Sequence, residues 1–139
     1  MKILLAVDGS RYTKKMLAYL ATHDLFTTGN EFSVFTVQPA LPSRSRAAVG
    51  KEIVDNYHAQ EAEKVLAPVA KFLLRHGIDA NSSWKVGHAS ESIAKFADSG
   101  KFDLIVMGSH GQSALVNLVM GSVATQVLAR CRVPVLLVR

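Results

Sequence analysis

Short apolar runs alternate along the chain with segments whose apolar residues recur at helical spacing. Five runs have the length and composition of β-strands: residues 3–7, 32–37, 82–86, 103–107 and 133–138. The first and fourth runs are continuously apolar, which is typical of strands buried on both faces of a parallel sheet. The fifth contains Pro134, which cannot donate a hydrogen bond to a neighbouring strand and therefore predicts an edge position.

The segments between the runs have the periodicity and end signals of helices. A first helix is expected after Ser10, since serine is a preferred N-cap residue. A long helix is expected over about 51–76, with a kink or a break near Lys64–Pro68. The last helix, over about 122–131, is predicted to begin with Ser122 as its cap.

This alternation predicts an α/β fold. We expect a single open five-stranded parallel sheet, doubly wound, with right-handed crossovers and helices on both faces. The length suits one domain over residues 1–139. Residues 38–50 interrupt the alternation with two prolines, two serines and two arginines, and they predict a mobile loop over the edge of the sheet.

Composition and charge narrow the functional classes. Hydrophobic residues make up 49% of the chain and charged residues 19%, a globular profile. No signal peptide or membrane span is evident, and Cys131 is the only cysteine, so we expect a cytoplasmic protein with no membrane partner. The net charge of +5 is scattered along the chain, and no nucleic-acid partner is expected.

Several common site motifs are missing from the sequence. There is no GxxxxGK[ST] phosphate loop, no GxGxxG after the first strand and no GxSxG nucleophile elbow. The five histidines form neither HExxH nor any close pair, so we expect no metal held by side chains alone.

Three glycines and one aspartate form the strongest candidate site. Gly108, Gly111 and Gly121 lie in MGSHGQSALVNLVMGS, between the fourth strand and the last helix, and Asp8 follows the first strand. The order of a doubly wound sheet reverses between these strands, and ligands bind outside the carboxyl ends there. The glycines could form a phosphate cradle with the helix start, or only a turn with an ordinary cap. Asp8 could likewise cap the first helix or bind a ligand.

At these residues the chain resembles the universal stress protein family, and more narrowly its ATP-binding type. The resemblance rests on MKILLAVDGS at the start, on DLIVMGSHG, and on G-x2-G-x9-G-S before the last helix, and it extends to the ending VPVLLVR. It implies an adenine nucleotide alpha hydrolase-like fold, commonly dimeric, that binds ATP or a related adenine nucleotide and acts in stress adaptation.

The resemblance also implies a set of nucleotide-binding residues. Positions matching the family's nucleoside, adenine, ribose and phosphate contacts are Ala6, Asp8, Val37, Met107, Gly108, Ser109, His110, Gly111, Gln112, Ser113, Gly121, Ser122 and Val123. It implies Mg²⁺ or Mn²⁺ held by the phosphates as the accompanying ion, and no catalytic residue is assigned. From the local sequence, His110 could be a general base or offer only its backbone, and the backbone contact is expected.

One departure from the family bears on activity. Members often carry a basic residue in the nine-residue loop, whereas residues 112–120 contain none. The phosphate charge would then be met by backbone dipoles, by Ser113 or Ser122, by a divalent cation, or by Arg44 and Arg46. No evident general base or charged clamp accompanies the site.

Three functions remain open at this stage. The departure favours a regulatory or signalling module that binds ATP. The alternatives are a slow ATPase or self-phosphorylating enzyme that uses Ser122, and a member that binds no nucleotide and acts through protein contacts.

A homodimer is expected through the apolar last strand, from Val133 to Val138.

Overall fold

The computed structural model describes residues 1–26, 29–111 and 119–139 of the chain. Within these ranges, strands and helices alternate as the hydrophobic pattern predicts. The elements are β1 (Lys2–Ala6), α1 (Arg11–Thr22), β2 (Glu31–Gln38), α2 (Ser43–Val49), α3 (Lys51–Arg75), β3 (Asn81–Val86), α4 (Ala89–Ser99), β4 (Leu104–Gly108), α5 (Ser122–Arg130) and β5 (Val135–Val138).

The five strands of the described chain form one parallel sheet in the order β3-β2-β1-β4-β5. β1 pairs with β2 on one side, Leu5 opposite Val34, and with β4 on the other, Leu5 opposite Val106. The chain therefore reverses its direction of travel across the sheet between β1 and β4, as predicted. β5 lies at an edge, which confirms the position expected from Pro134.

Helices cover both faces of the sheet because side chains alternate along each strand. Ile3 and Leu5 of β1 point into a core with α1 and α3, where Met16 and Leu73 are fully buried. Leu4 and Ala6 point the other way, into a core with α4 and α5. The doubly wound α/β prediction is confirmed.

Two local expectations have a different outcome in the structure. Of the kink or break expected near Pro68, the break does not occur, since α3 is one continuous helix through the proline. Residues on both sides of the proline are buried and keep the helix in place. They are Val54, His58, Ala62, Leu66, Val69 and Leu73. Residues 38–50, predicted as a loop, contain the short helix α2, which buries none of its residues.

Of the two predicted N-cap residues, one is confirmed and one is wrong. The hydroxyl of Ser10 accepts a hydrogen bond from the N–H of Tyr12, so Ser10 caps α1 as predicted. Ser122 does not cap α5: Gly121 is the N-cap and Ser122 is the first helical residue. Among the helices described, none has the length and hydropathy needed to cross a membrane.

Candidate functional site

The carboxyl ends of β1 and β4 meet at the point where the strand order reverses. β1 is followed directly by Val7 and Asp8, and β4 ends at Gly108. α5 begins beside this point because the N–H of Gly121 donates a hydrogen bond of 2.6 Å to the carbonyl of Ser109. This is the place in a doubly wound sheet where ligands bind.

An inner cavity of about 70 Å³ opens there. Its walls come from the ends of three strands and from the starts of α1, α4 and α5. They are Ala6, Val7, Asp8, Thr13, Val37, Ala89, Ile93, Met107, Gly108, His110, Gly111, Gly121, Val123 and Ala124. The lining is mainly apolar, with a few polar groups, which is usual for a small-molecule site.

An outer cavity of about 910 Å³ shares several walls with the inner one. The shared residues are Asp8, Val37, Ala89, Gly111, Gly121 and Val123. The outer cavity extends to Ser122 on one side and to Tyr57, Glu61 and Lys64 of α3 on the other. Pockets for small ligands span roughly 300–1,000 Å³. The outer cavity lies within this range, whereas the inner one is too small to hold a nucleotide by itself.

Asp8 is held by the turn that leads into α1. Its Oδ1 accepts hydrogen bonds from the N–H of Ser10 at 2.9 Å and from the hydroxyl of Thr13 at 3.1 Å. Its own N–H donates to the Thr13 hydroxyl. The N-cap of α1 is Ser10, so Asp8 fixes the turn before the helix, and it lines both cavities.

The three glycines bring backbone segments close together. A Cβ at Gly108 would lie 2.6 Å from the Cβ of Tyr12, and one at Gly111 would lie 2.9 Å from Oδ2 of Asp8. A Cβ at Gly121 would lie 3.0 Å from the Cα of His110. None of the three has the left-handed backbone conformation that itself requires glycine. The spacing is therefore explained by close approach between segments.

The contact at Gly121 changes what a substitution there would do. With φ at −71°, the backbone conformation at Gly121 does not itself require glycine. An added Cβ would nevertheless meet the backbone of residues 109–111 rather than open space. Substitution at Gly121 disturbs the loop as well as the cavity.

The start of α5 lines both cavities and carries backbone N–H groups from which no helical carbonyl can accept a hydrogen bond. In the described part of the chain, no acceptor is hydrogen-bonded to the N–H groups of Ser122, Val123 or Ala124. Thr125 is the first residue to donate to a helical carbonyl, that of Gly121 at 3.1 Å. Such donors and the helix dipole favour an anion.

Most of the predicted site residues surround these two cavities. Ala6, Met107, Gly108 and His110 line the inner one, and Ser122 lines the outer one, besides the shared walls already named. Ser109 lines neither: it is buried, and its hydroxyl lies 2.9 Å from Nδ1 of His110. Gln112 and Ser113 lie outside the described residues.

Lys64 and its neighbours are the part of the site that sequence reasoning missed. Nζ of Lys64 donates to Oε1 of Glu61 at 2.9 Å, and this hydrogen bond and the carboxylate charge raise the pKa of Lys64. Arg44 and Arg46, the basic residues suggested from sequence, line neither cavity. The helical spacing of residues 57, 61 and 64 puts them on one face of α3, but only the packed structure shows that this face lines the outer cavity.

Together, the fold and the cavities define an α/β domain with a ligand-sized cleft at its switch point. The sequence profile of the Universal stress protein family matches residues 1–139. The chain belongs to that family.

Two curated relatives support this membership. A universal stress protein of Synechocystis sp. is 33% identical over 138 residues, which cover 99% of this chain and 42% of that protein. The chain thus spans less than half the length of this relative. One from Thermus aquaticus is 32% identical over 138 residues, covering 99% of this chain and 97% of that protein.

Solved structures share the fold. A protein from Methanocaldococcus jannaschii is 27% identical with a TM-score of 0.82, covering 99% of this chain and 94% of that one. A universal stress protein from Archaeoglobus fulgidus, solved in complex with dAMP, is 23% identical, with a TM-score of 0.67 and coverage of 100% and 98%. One from Arabidopsis thaliana has AMP bound, at 14% identity, TM-score 0.71 and coverage of 99% and 90%.

Proposed function

We propose that this protein is a universal stress protein that binds ATP or a related adenine nucleotide and acts as a regulatory or signalling module. One observation carries the proposal: the inner and outer cavities meet at the switch point of the sheet, and the start of α5, whose first N–H groups have no helical acceptor, lines both. An apolar recess beside a row of N–H groups suits a flat base joined to phosphates.

The dimensions and the relatives support an adenine nucleotide. The apolar inner cavity suits part of a nucleoside, while the larger outer cavity has room for sugar and phosphates. Structural neighbours with the same fold bind AMP or dAMP. We extend that ligand class to this chain, with Val37 beside the base and Gly111, Gly121 and Ser122 beside the phosphates.

Mg²⁺ or Mn²⁺ is proposed to accompany the nucleotide, held by its phosphates. Among the described residues, no three His, Cys, Asp or Glu side chains cluster closely enough to hold a metal. Asp8 is the acidic residue that lines both cavities, and we assign it to orient such an ion or a ribose hydroxyl. The cation would neutralise phosphate charge that residues 112–120 do not meet with basic side chains.

Isothermal titration calorimetry tests the nucleotide. We expect ATP with Mg²⁺ to bind more tightly than GTP. Ala89→Phe, which fills a wall shared by both cavities, should weaken ATP binding by about tenfold or more. Ala47→Phe is the matched control, since it adds the same side chain to the exposed helix α2. Equal affinities for ATP and GTP, or no measurable binding heat for either, would refute the proposal.

Localisation, assembly and partners are proposed from the sequence pattern. We propose a cytoplasmic protein that forms a homodimer through Val133 to Val138. We propose no nucleic-acid or membrane partner.

A further inference from the structure

One face of α3 forms part of the wall of the outer cavity, which the start of α5 also lines. Tyr57, Glu61, Lys64 and Val65 are spaced by four, three and one residues, so their side chains share one side of the helix. All four line the outer cavity together with Gly121 and Ser122. A ligand that fills this cavity therefore contacts both α3 and the start of α5.

This wall carries one positive and one negative charge. Lys64 is about 72% exposed at its side chain and Glu61 about 33%, and their ion pair is 2.9 Å long. An ammonium group has three donors on a flexible stem, and the hydrogen bond to Glu61 uses one of them. Two donors of Lys64 therefore remain for a second anion, while the ion pair with Glu61 holds the ammonium group at the cavity wall.

We propose that Lys64 binds the phosphates of the nucleotide and that Glu61 opposes them, so that this pair sets how strongly affinity depends on phosphate number. The inference rests on the proposed function and names a specificity device within its site. Lys64 supplies the positive charge that residues 112–120 lack. Glu61 holds Lys64 in place without ligand and competes with phosphate for it.

The two charges predict opposite changes in ATP affinity when each is removed by substitution. Removing the ammonium group in Lys64→Ala should lower the affinity for ATP by about two- to fivefold, the range expected of an exposed ion pair. Removing the competing carboxylate in Glu61→Gln should raise that affinity by about the same factor. Adenosine has no phosphate, so neither change should alter its affinity. AMP should respond less than ATP.

The experiment is calorimetric titration of the full chain with adenosine, AMP and ATP at low salt, where an exposed charge pair is least screened. Lys71→Ala and Glu63→Gln are the matched controls. Both positions are exposed on the same helix, and neither lines the outer cavity. Because all four positions are on the helix surface or partly exposed, the variants should fold as the parent does.

The outcomes separate this inference from the proposed function. Opposite shifts for ATP in Lys64→Ala and Glu61→Gln, with unchanged adenosine affinity, would support it. If the parent binds ATP but Lys64→Ala behaves as Lys71→Ala does, the inference is wrong and the proposed function stands. Equal losses for adenosine and ATP would also overturn it, since they would indicate a general packing effect. If the parent binds none of the three ligands, both proposals fail.

Discussion

Single residues in the loop after β4 are constrained by neighbouring atoms. Gly121 packs its backbone against His110, and Gly111 leaves room for the carboxyl group of Asp8. The short hydrogen bond from Gly121 to Ser109 joins the same two segments. These contacts place the start of α5 over the cavities, so the glycines shape the site even where they touch no ligand themselves.

A substitution at Gly121 tests this packing. We expect Gly121→Ala to lower the free energy of unfolding by about 1–3 kcal/mol, because its Cβ would press on the backbone at His110. Urea unfolding measures the change. Ser122→Ala is the neighbouring control and should have almost no effect, since Ser122 is exposed and its side chain caps nothing.

Equal unfolding midpoints for the two variants would contradict the packing argument. The ATP affinity of Gly121→Ala, measured well below its melting temperature, separates the two roles of the glycine. If the variant is less stable and binds ATP as the parent does, Gly121 serves packing alone and the phosphate-cradle interpretation is wrong.

At the scale of elements, α3 links the core to the candidate site. Its buried face packs against the sheet through Leu66 and Leu73, while Glu61 and Lys64 reach the outer cavity. Pro68 lies between Leu66 and Leu73 and cannot donate a backbone hydrogen bond to the carbonyl of Lys64. Tertiary burial therefore maintains a helix that its own sequence weakens.

Two neighbouring substitutions test that account of α3. Pro68→Ala should raise the free energy of unfolding by about 1–3 kcal/mol, because it restores an N–H and removes the clash of the ring within the helix. Ala67→Gly, at the exposed position before it, should lower it by about 1 kcal/mol. Thermal unfolding by circular dichroism measures both. A loss of stability in Pro68→Ala would show instead that α3 depends on the shape imposed by the proline.

At the scale of the whole molecule, the sheet has two edges, β3 and β5. β3 is largely exposed, and its sequence, NSSWKV, is mostly polar. β5 reads VLLV, and its residues are buried or half-buried. An apolar edge strand offers unpaired backbone groups to another strand. If β5 of one molecule pairs with β5 of a second, the β5 edge of each molecule is covered.

The proposed homodimer can be measured directly. Light scattering of the full chain over a concentration series up to roughly 100 µM should give twice the chain mass, with dissociation only on dilution. The expected result follows from the apolar character of β5. A monomer mass throughout the series would rule out the proposed pairing through Val133 to Val138.

Local pattern was sufficient to predict most of the architecture. Continuous apolar runs are buried strands because a strand covered on both faces exposes no side chain to water, and β1 and β4 are such strands. The cap at Ser10 was equally readable, since capping involves only residues two or three apart. From these elements alone, the reversal point beside Asp8 and Gly108 could be placed.

Contacts between distant segments decided the rest. The error at Ser122 arose because Gly121, held by Ser109, takes the cap position. The unbroken α3 depends on burial against the sheet, which outweighs the preference of Pro68. Lys64 lies more than fifty residues from Gly121 in sequence, and only folding brings both to one cavity. Sequence periodicity determines which face of a helix is polar, whereas the packed structure determines what that face meets.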